Sequence, residues 1–221
     1  MQGSVPAVRF FEPRRGVRKR AGNLPHWYQP GVTYFVTFRT ADSVPQVLLD
    51  DWHRRRREWL LRNGIDLARD PWRAAFRTQP DLEAAYHRLF TRAMMEFLDQ
   101  GFGRCVLAQP RLSAVVADGL RHFDGSRYYL CDFVVMPNHV HILLCLREAT
   151  EIEALCKSWK RHSARRINTL LDCWGRFWQE ESFDHLVRSR AQFERFRQYI
   201  AENPRRAGLR AGQYAYYTAP S

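Results

Sequence analysis

The sequence has no C-x-x-C pair, and its five cysteines, Cys105, Cys131, Cys145, Cys156 and Cys173, are an odd number. Neither a disulfide framework nor a thiolate zinc site is indicated, so the thiols read as small core residues. Long apolar runs are missing as well: the longest, Val140 to Leu146, falls far short of the ~20 residues that a membrane-spanning helix needs. The stretch from Met1 to Arg20 has no apolar core of the signal-peptide kind, and no internal repeat is visible. Acidic residues are scarce, 23 Asp and Glu against 35 Lys and Arg, which gives a net charge of +12 and a pI near 10. These features lead us to expect a cytoplasmic protein with no membrane association and a polyanionic partner such as nucleic acid.

What is present is enough for one packed domain. The 221 residues are 45% apolar and 14% aromatic, which excludes a disordered chain and makes two full domains too many. Residues 1–25 hold six basic side chains against Glu12 alone and read as a flexible basic arm. The single domain is expected over 26–212, with a tail over 213–221. Val32 to Arg39 is β-branched and aromatic after Pro30-Gly31, the pattern of a buried first strand. Leu48, Trp52, Trp59 and Leu60 recur at helical spacing, as do Leu82, Tyr86, Phe90, Phe97 and Leu98 before Gly101. Ser113 is placed to cap a short helix. Arg127 to Val135 and His139 to Leu146 read as an antiparallel hairpin around Met136-Pro137-Asn138. Thr150 with Glu153, and Ser189 with Gln192, have capping-box spacing and open two further helices, the second expected to stop near Asn203-Pro204.

His139 and His141 are two apart on a strand, so their imidazoles project from the same face, and two neutral imidazoles side by side invite a divalent metal. Taken alone, the spacing serves equally well as a structural feature. Tyr199 and Asn203 are four apart on the last helix, so a phenol and a carboxamide address one point. The plain alternative is a core tyrosine and an asparagine C-cap. Basic clusters follow the hairpin: Lys157, Lys160, Arg161, Arg165, Arg166 and Arg176 against Asp172, then seven arginines between Leu186 and Arg210 against Glu194 and Glu202. Trp159, Trp174 and Trp178 lie among them and offer stacking faces for bases, or core packing.

Read together, Met136-Pro137-Asn138-His139-Val140-His141, then Trp178-Gln179 and Phe183-Asp184-His185-Leu186-Val187-Arg188, then Tyr199-Ile200 with Asn203-Pro204 and Ala207-Gly208-Leu209, resemble the REP-associated tyrosine transposases of the single-tyrosine HUH transposase family. The resemblance covers Trp27 to Phe38 and Leu112 to Leu209. It implies an α+β fold, a ferredoxin-like antiparallel sheet with helices on one face. The stretch of about 65–110 exceeds the family core and is expected to be a helical insertion.

The resemblance also implies chemistry. His139, His141 and Asn203 would ligate Mg2+ or Mn2+, and Tyr199 would attack a phosphodiester of single-stranded or hairpin DNA, forming a 5′-phosphotyrosine. Lys157, Trp159, Lys160, Arg161, Arg165 and Arg188 would contact DNA. Asn138, Asp184 and His185 would support the site from behind. Homodimers occur in the family. Three rivals compete: a domesticated DNA-binding protein of this fold, an RNA-binding module, and a histidine-strand phosphohydrolase, which would want a third alternating histidine where Leu143 stands.

Overall fold

The computed structural model describes residues 8–12, 18–20, 26–66 and 79–220, so most of the expected basic arm lies outside the described residues. A short antiparallel pair, β1 (Arg18–Arg20) and β2 (His26–Tyr28), precedes the main sheet. Strand β3 (Thr33–Arg39) leads into helix α1 (Gln46–Arg62). Helix α2 (Pro80–Tyr86) continues through a π turn, His87–Thr91, into α3 (Arg92–Asp99). Helix α4 (Pro110–Arg121), the hairpin β4 (Tyr128–Val135) and β5 (His139–Leu146), helix α5 (Ile152–Leu170), strand β6 (Phe183–Leu186), helix α6 (Arg190–Arg206) and strand β7 (Ala215–Thr218) complete the order.

The five main strands lie in the order β6-β3-β5-β4-β7, all antiparallel. Without β7 this is the βαββαβ arrangement expected of a ferredoxin-like sheet. The segment expected as a tail supplies the edge strand β7, and β6 is the strand that periodicity did not reveal, being only four residues long.

Strand alternation divides the core in two. Tyr34, Val36, Phe38, Val140, Ile142 and Leu144 face α4 and α5, while Phe35, Val134 and Leu143 face α6 through Phe193 and Ile200. Helices therefore cover both faces rather than one, because β3 to β5 carry apolar side chains on each side of the sheet. His139 and His141 share the α6 face with Leu143, and this register aims them at the tyrosine helix.

Three terminal signals resolve differently from expectation. Glu151, not Thr150, is the N-cap of α5, with no side-chain cap. Helix α4 begins at Pro110, whose missing N–H costs nothing in the first turn, and Ser113 is buried within the helix. Helix α6 passes through Pro204 to Arg206 and closes when Gly208, at φ +66°, lets Leu209 N–H reach the Pro204 carbonyl at 2.9 Å. The Ser189 cap forms as expected, Ser189 Oγ accepting from Gln192 N–H at 3.2 Å, but the Gln192 side chain reaches one residue further back than in a capping box, its Oε1 accepting from Arg188 N–H at 2.7 Å.

Candidate active site

Both imidazoles are fully buried. Asn138 Nδ2 donates to the carbonyls of Phe102 (3.0 Å) and Leu98 (3.4 Å), which turns its Oδ1 toward His139 Nδ1 at 2.7 Å. That acceptor requires a proton on Nδ1, so the neutral ring presents a lone pair at Nε2. On the neighbouring strand Thr37 pairs with His141 in the sheet, and its Oγ1 lies 2.7 Å from His141 Nδ1. The two Nε2 atoms stand 3.0 Å apart. When the threonine oxygen accepts, both carry lone pairs and repel, an arrangement that a cation between them relieves. Burial pushes His139 down to about 3 and His141 well below its usual value, His141 further so because of the neighbouring ring. Both rings are thus held neutral, the form that binds metal.

Helix α6 brings the other groups. Tyr199 Oη is 3.4 Å from His141 Nε2, with the rings edge-on at 5.0 Å. Asn203, one turn on, is 1% exposed; its Nδ2 donates to Asp99 Oδ1 at 3.3 Å, while its Oδ1 is buried with no hydrogen-bond partner among the described residues. Asp99, at the end of α3, lies with both histidines in a cluster whose ligand atoms are all within 4.8 Å of one another. Burial raises the Asp99 carboxyl, opposed by Asn203 and by Arg206. Burial likewise pushes the Tyr199 phenol up, reinforced by the Asp99 charge and offset by Arg206, whose guanidinium sits 5.8 Å over the ring, and by the Asn203 side chain.

The helix is held against the sheet by a specific ion pair. Arg197 Nε donates to the buried Asp132 carboxylate at 3.0 Å, Arg197 Nη2 donates to Thr218 Oγ1 at 3.1 Å, and that hydroxyl donates to Asp132 at 2.7 Å. Phe35 stacks on Phe196 at 4.2 Å and meets Tyr199 edge-on at 6.1 Å, which fixes the phenol's approach.

The structure therefore brings together His139, His141, Tyr199 and Asn203, with Asn138 behind His139. Other expected residues fall elsewhere. Asp184 is buried on β6 in register with Val36 of the opposite sheet face. His185 Nε2 lies 2.7 Å from Gln192 Nε2, with its ring against Phe196, so Phe35 and Phe196 separate it from the imidazole pair. Trp159 is 3% exposed and donates to Tyr128 Oη at 3.3 Å, so it is a core residue and not a stacking platform. Trp178 is buried too, while Trp174 is exposed. Lys160 Nζ donates to the carbonyls of Gln179 and Glu180. Lys157, Arg161 and Arg165 are exposed on α5, across the sheet from the histidines, and Arg188 is exposed near the start of α6.

Asp99 and Thr37 were missed by sequence reading. Thr37 looked like any β-branched strand residue. Asp99 carried a faint signal, since a carboxylate in the last turn of a helix opposes the helix dipole and calls for compensating positive charge.

The donor set fits a divalent ion. Two neutral nitrogens, a carboxylate and an orphaned carboxamide oxygen suit Mg2+, Mn2+ or zinc, and the unpartnered Asn203 Oδ1 is costly unless something positive meets it. Fold and site together define a class of protein in which a side-chain phenol and a cluster of potential cation ligands meet on a ferredoxin-like sheet. Residues 111–203 match the family model "Transposase IS200 like", a span that contains both histidines, Tyr199 and Asn203. The matched span, less than half of the chain, is similar to an IS200-like transposase domain. A solved structure of a REP-associated tyrosine transposase bound to a REP hairpin aligns with a TM-score of 0.45 at 13% identity, over 84% of this chain and 73% of that one. Comparison with curated proteins gives no match. No helix among the described residues is long and apolar enough to cross a membrane.

Proposed function

We propose that this chain is a metal-dependent enzyme that cuts and rejoins single-stranded DNA through a 5′-phosphotyrosine at Tyr199, at hairpin or palindromic sites. The observation that carries this is the approach of Tyr199 Oη to His141 Nε2, 3.4 Å within one chain, beside the buried unpaired Asn203 Oδ1.

His139, His141, Asn203 and Asp99 would hold the ion, with Asn138 and Thr37 fixing the two rings. Bound there, Mg2+ or Mn2+ would offset charge on the scissile phosphate and favour the phenolate. The remaining work belongs to the chain. Helix α6, latched by Arg197, presents the phenol in a fixed direction and so lowers the entropic cost of attack. Arg206 opposes the effect of Asp99 on the phenol. Tyr199 Oη gives up its proton and bonds to phosphorus, the bond from phosphorus to the 3′ oxygen breaks, and that oxygen leaves as a hydroxyl after taking a proton. An incoming 3′-hydroxyl reverses these steps on another end, breaking the bond to Tyr199 Oη and returning a proton to the phenol. The bond count is conserved, so no nucleotide cofactor is required. A single strand is needed because a helix-borne phenol requires an accessible backbone.

The test is a single-stranded hairpin oligonucleotide incubated with the protein and Mn2+, then run on a denaturing gel. A covalent adduct is expected for the native chain and none for Tyr199→Phe or for His139→Ala with His141→Ala, with hairpin binding retained. Binding without adduct in the native chain would favour the domesticated DNA-binding protein instead.

A further inference from the structure

Between α1, the α2–α3 segment and the β3/β6 edge of the sheet lies a cavity of about 390 Å³. We propose that it receives one unpaired nucleobase of the strand whose phosphate lies at the imidazole site, an inference that rests on the function proposed above and names a subsite for it.

Continuity is the first argument. Thr37 lines the cavity and its Oγ1 touches His141 Nδ1 at 2.7 Å. Leu98 lines it from the other side, takes the Asn138 amide on its carbonyl and directly precedes Asp99. The cavity thus opens one side chain away from the ion cluster, and a nucleotide next to a phosphate held there is within reach of it.

Chemistry of the lining is the second. Trp52 and Tyr86 contribute aromatic faces, and the Arg56 guanidinium lies 5.7 Å from each ring centre while its Nε donates to Tyr86 Oη at 2.7 Å. Arg39, in register with His139, donates to Ser43 Oγ at 3.1 Å and lines the same space. Glu180 and Glu181 line it as well, so apolar and aromatic surfaces with guanidinium donors and carboxylate acceptors match a planar ring that carries both acceptor and donor atoms on its edge, which is how extruded or single-stranded bases are held. A base paired in a duplex keeps its edge and faces occupied, so the occupant must be unpaired.

The third argument is location in the chain. The walls from α1 to α3 precede the matched span of 111–203, so the helical segment adds something the transposase domain does not itself contain. A base pocket gives that segment a role next to the chemistry.

The experiment uses the full chain and a series of single-stranded hairpin oligonucleotides, each with an abasic site at one position around the cleavage point. Binding is read by fluorescence anisotropy and the covalent adduct by gel. One position is expected to weaken binding by roughly tenfold or more when its base is removed. Met94→Trp, which fills the cavity, should weaken the intact oligonucleotide by a similar factor and erase the sensitivity at that position. Arg39→Gln, which leaves the volume open, should reduce the same sensitivity and serves if Met94→Trp fails to fold. Uniform response to every abasic site, or sensitivity that persists in both variants, would overturn the pocket. A missing adduct with every oligonucleotide would instead count against the parent reading.

Discussion

Replacing Arg197 by Met tests whether the latch on α6 positions the nucleophile. Asp132 is 2% exposed at its side chain and Arg197 is 32% exposed. Breaking a buried ion pair from one side costs about 3–5 kcal/mol because a charge is left uncompensated. Here Thr218 still donates to Asp132 and the guanidinium is partly solvated, so roughly 2–3 kcal/mol is expected. Asp132→Asn in the same chain removes the stranded charge, and the double variant should recover at least 1 kcal/mol of that loss. Urea unfolding measures the stability, and adduct formation measured well below the midpoint measures the positioning. Arg197→Met should lose adduct beyond its loss of folded fraction, since the phenol's direction depends on the helix. A single variant within 0.5 kcal/mol of native, in line with ordinary surface substitutions, or a double variant no better than the single, would refute the reasoning.

Asn203→Leu removes an unpaired buried oxygen but also the Nδ2 donor to Asp99, so the ion-free protein should lose roughly 1–2 kcal/mol, while most of the thermal stabilisation by Mn2+ is abolished. Thr37→Val takes away the partner of His141 Nδ1 and should weaken Mn2+ roughly 10- to 100-fold by calorimetry; unchanged affinity would mean the ring needs no such support. Asp99→Asn should weaken Mn2+ at least as much, and an unaltered titration would remove Asp99 from the ligand set. Mixing Tyr199→Phe with the double histidine variant should restore no adduct, because phenol and imidazoles meet within one chain; recovered activity would show sharing between protomers.

Much of this was legible in the sequence because strands and helices repeat at fixed periods. The two-residue spacing of His139 and His141 guaranteed a common face, and the four-residue spacing of Tyr199 and Asn203 guaranteed a common helix side. The α5 basic run was legible as charge but not as location, since nothing local says which sheet face α5 covers. Trp159 and Trp178 could not be sorted from Trp174 for the same reason: an indole among arginines reads alike whether it packs inward or not. Asp99 and Thr37 reach the site through tertiary contacts from 40 and more residues away, Asp99 to His139 and Thr37 to His141. The strands β6 and β7 are four residues each, too short for alternation to register.

The central claim is most directly tested by digesting the protein–DNA adduct with trypsin and sequencing it by mass spectrometry. Cleavage after Arg197 and Arg205 releases Gln198–Arg205, which contains a single tyrosine. A nucleotide phosphate attached to Tyr199 in that peptide is the predicted result. Attachment at any other residue, or cleaved DNA with no covalent protein linkage, would contradict it.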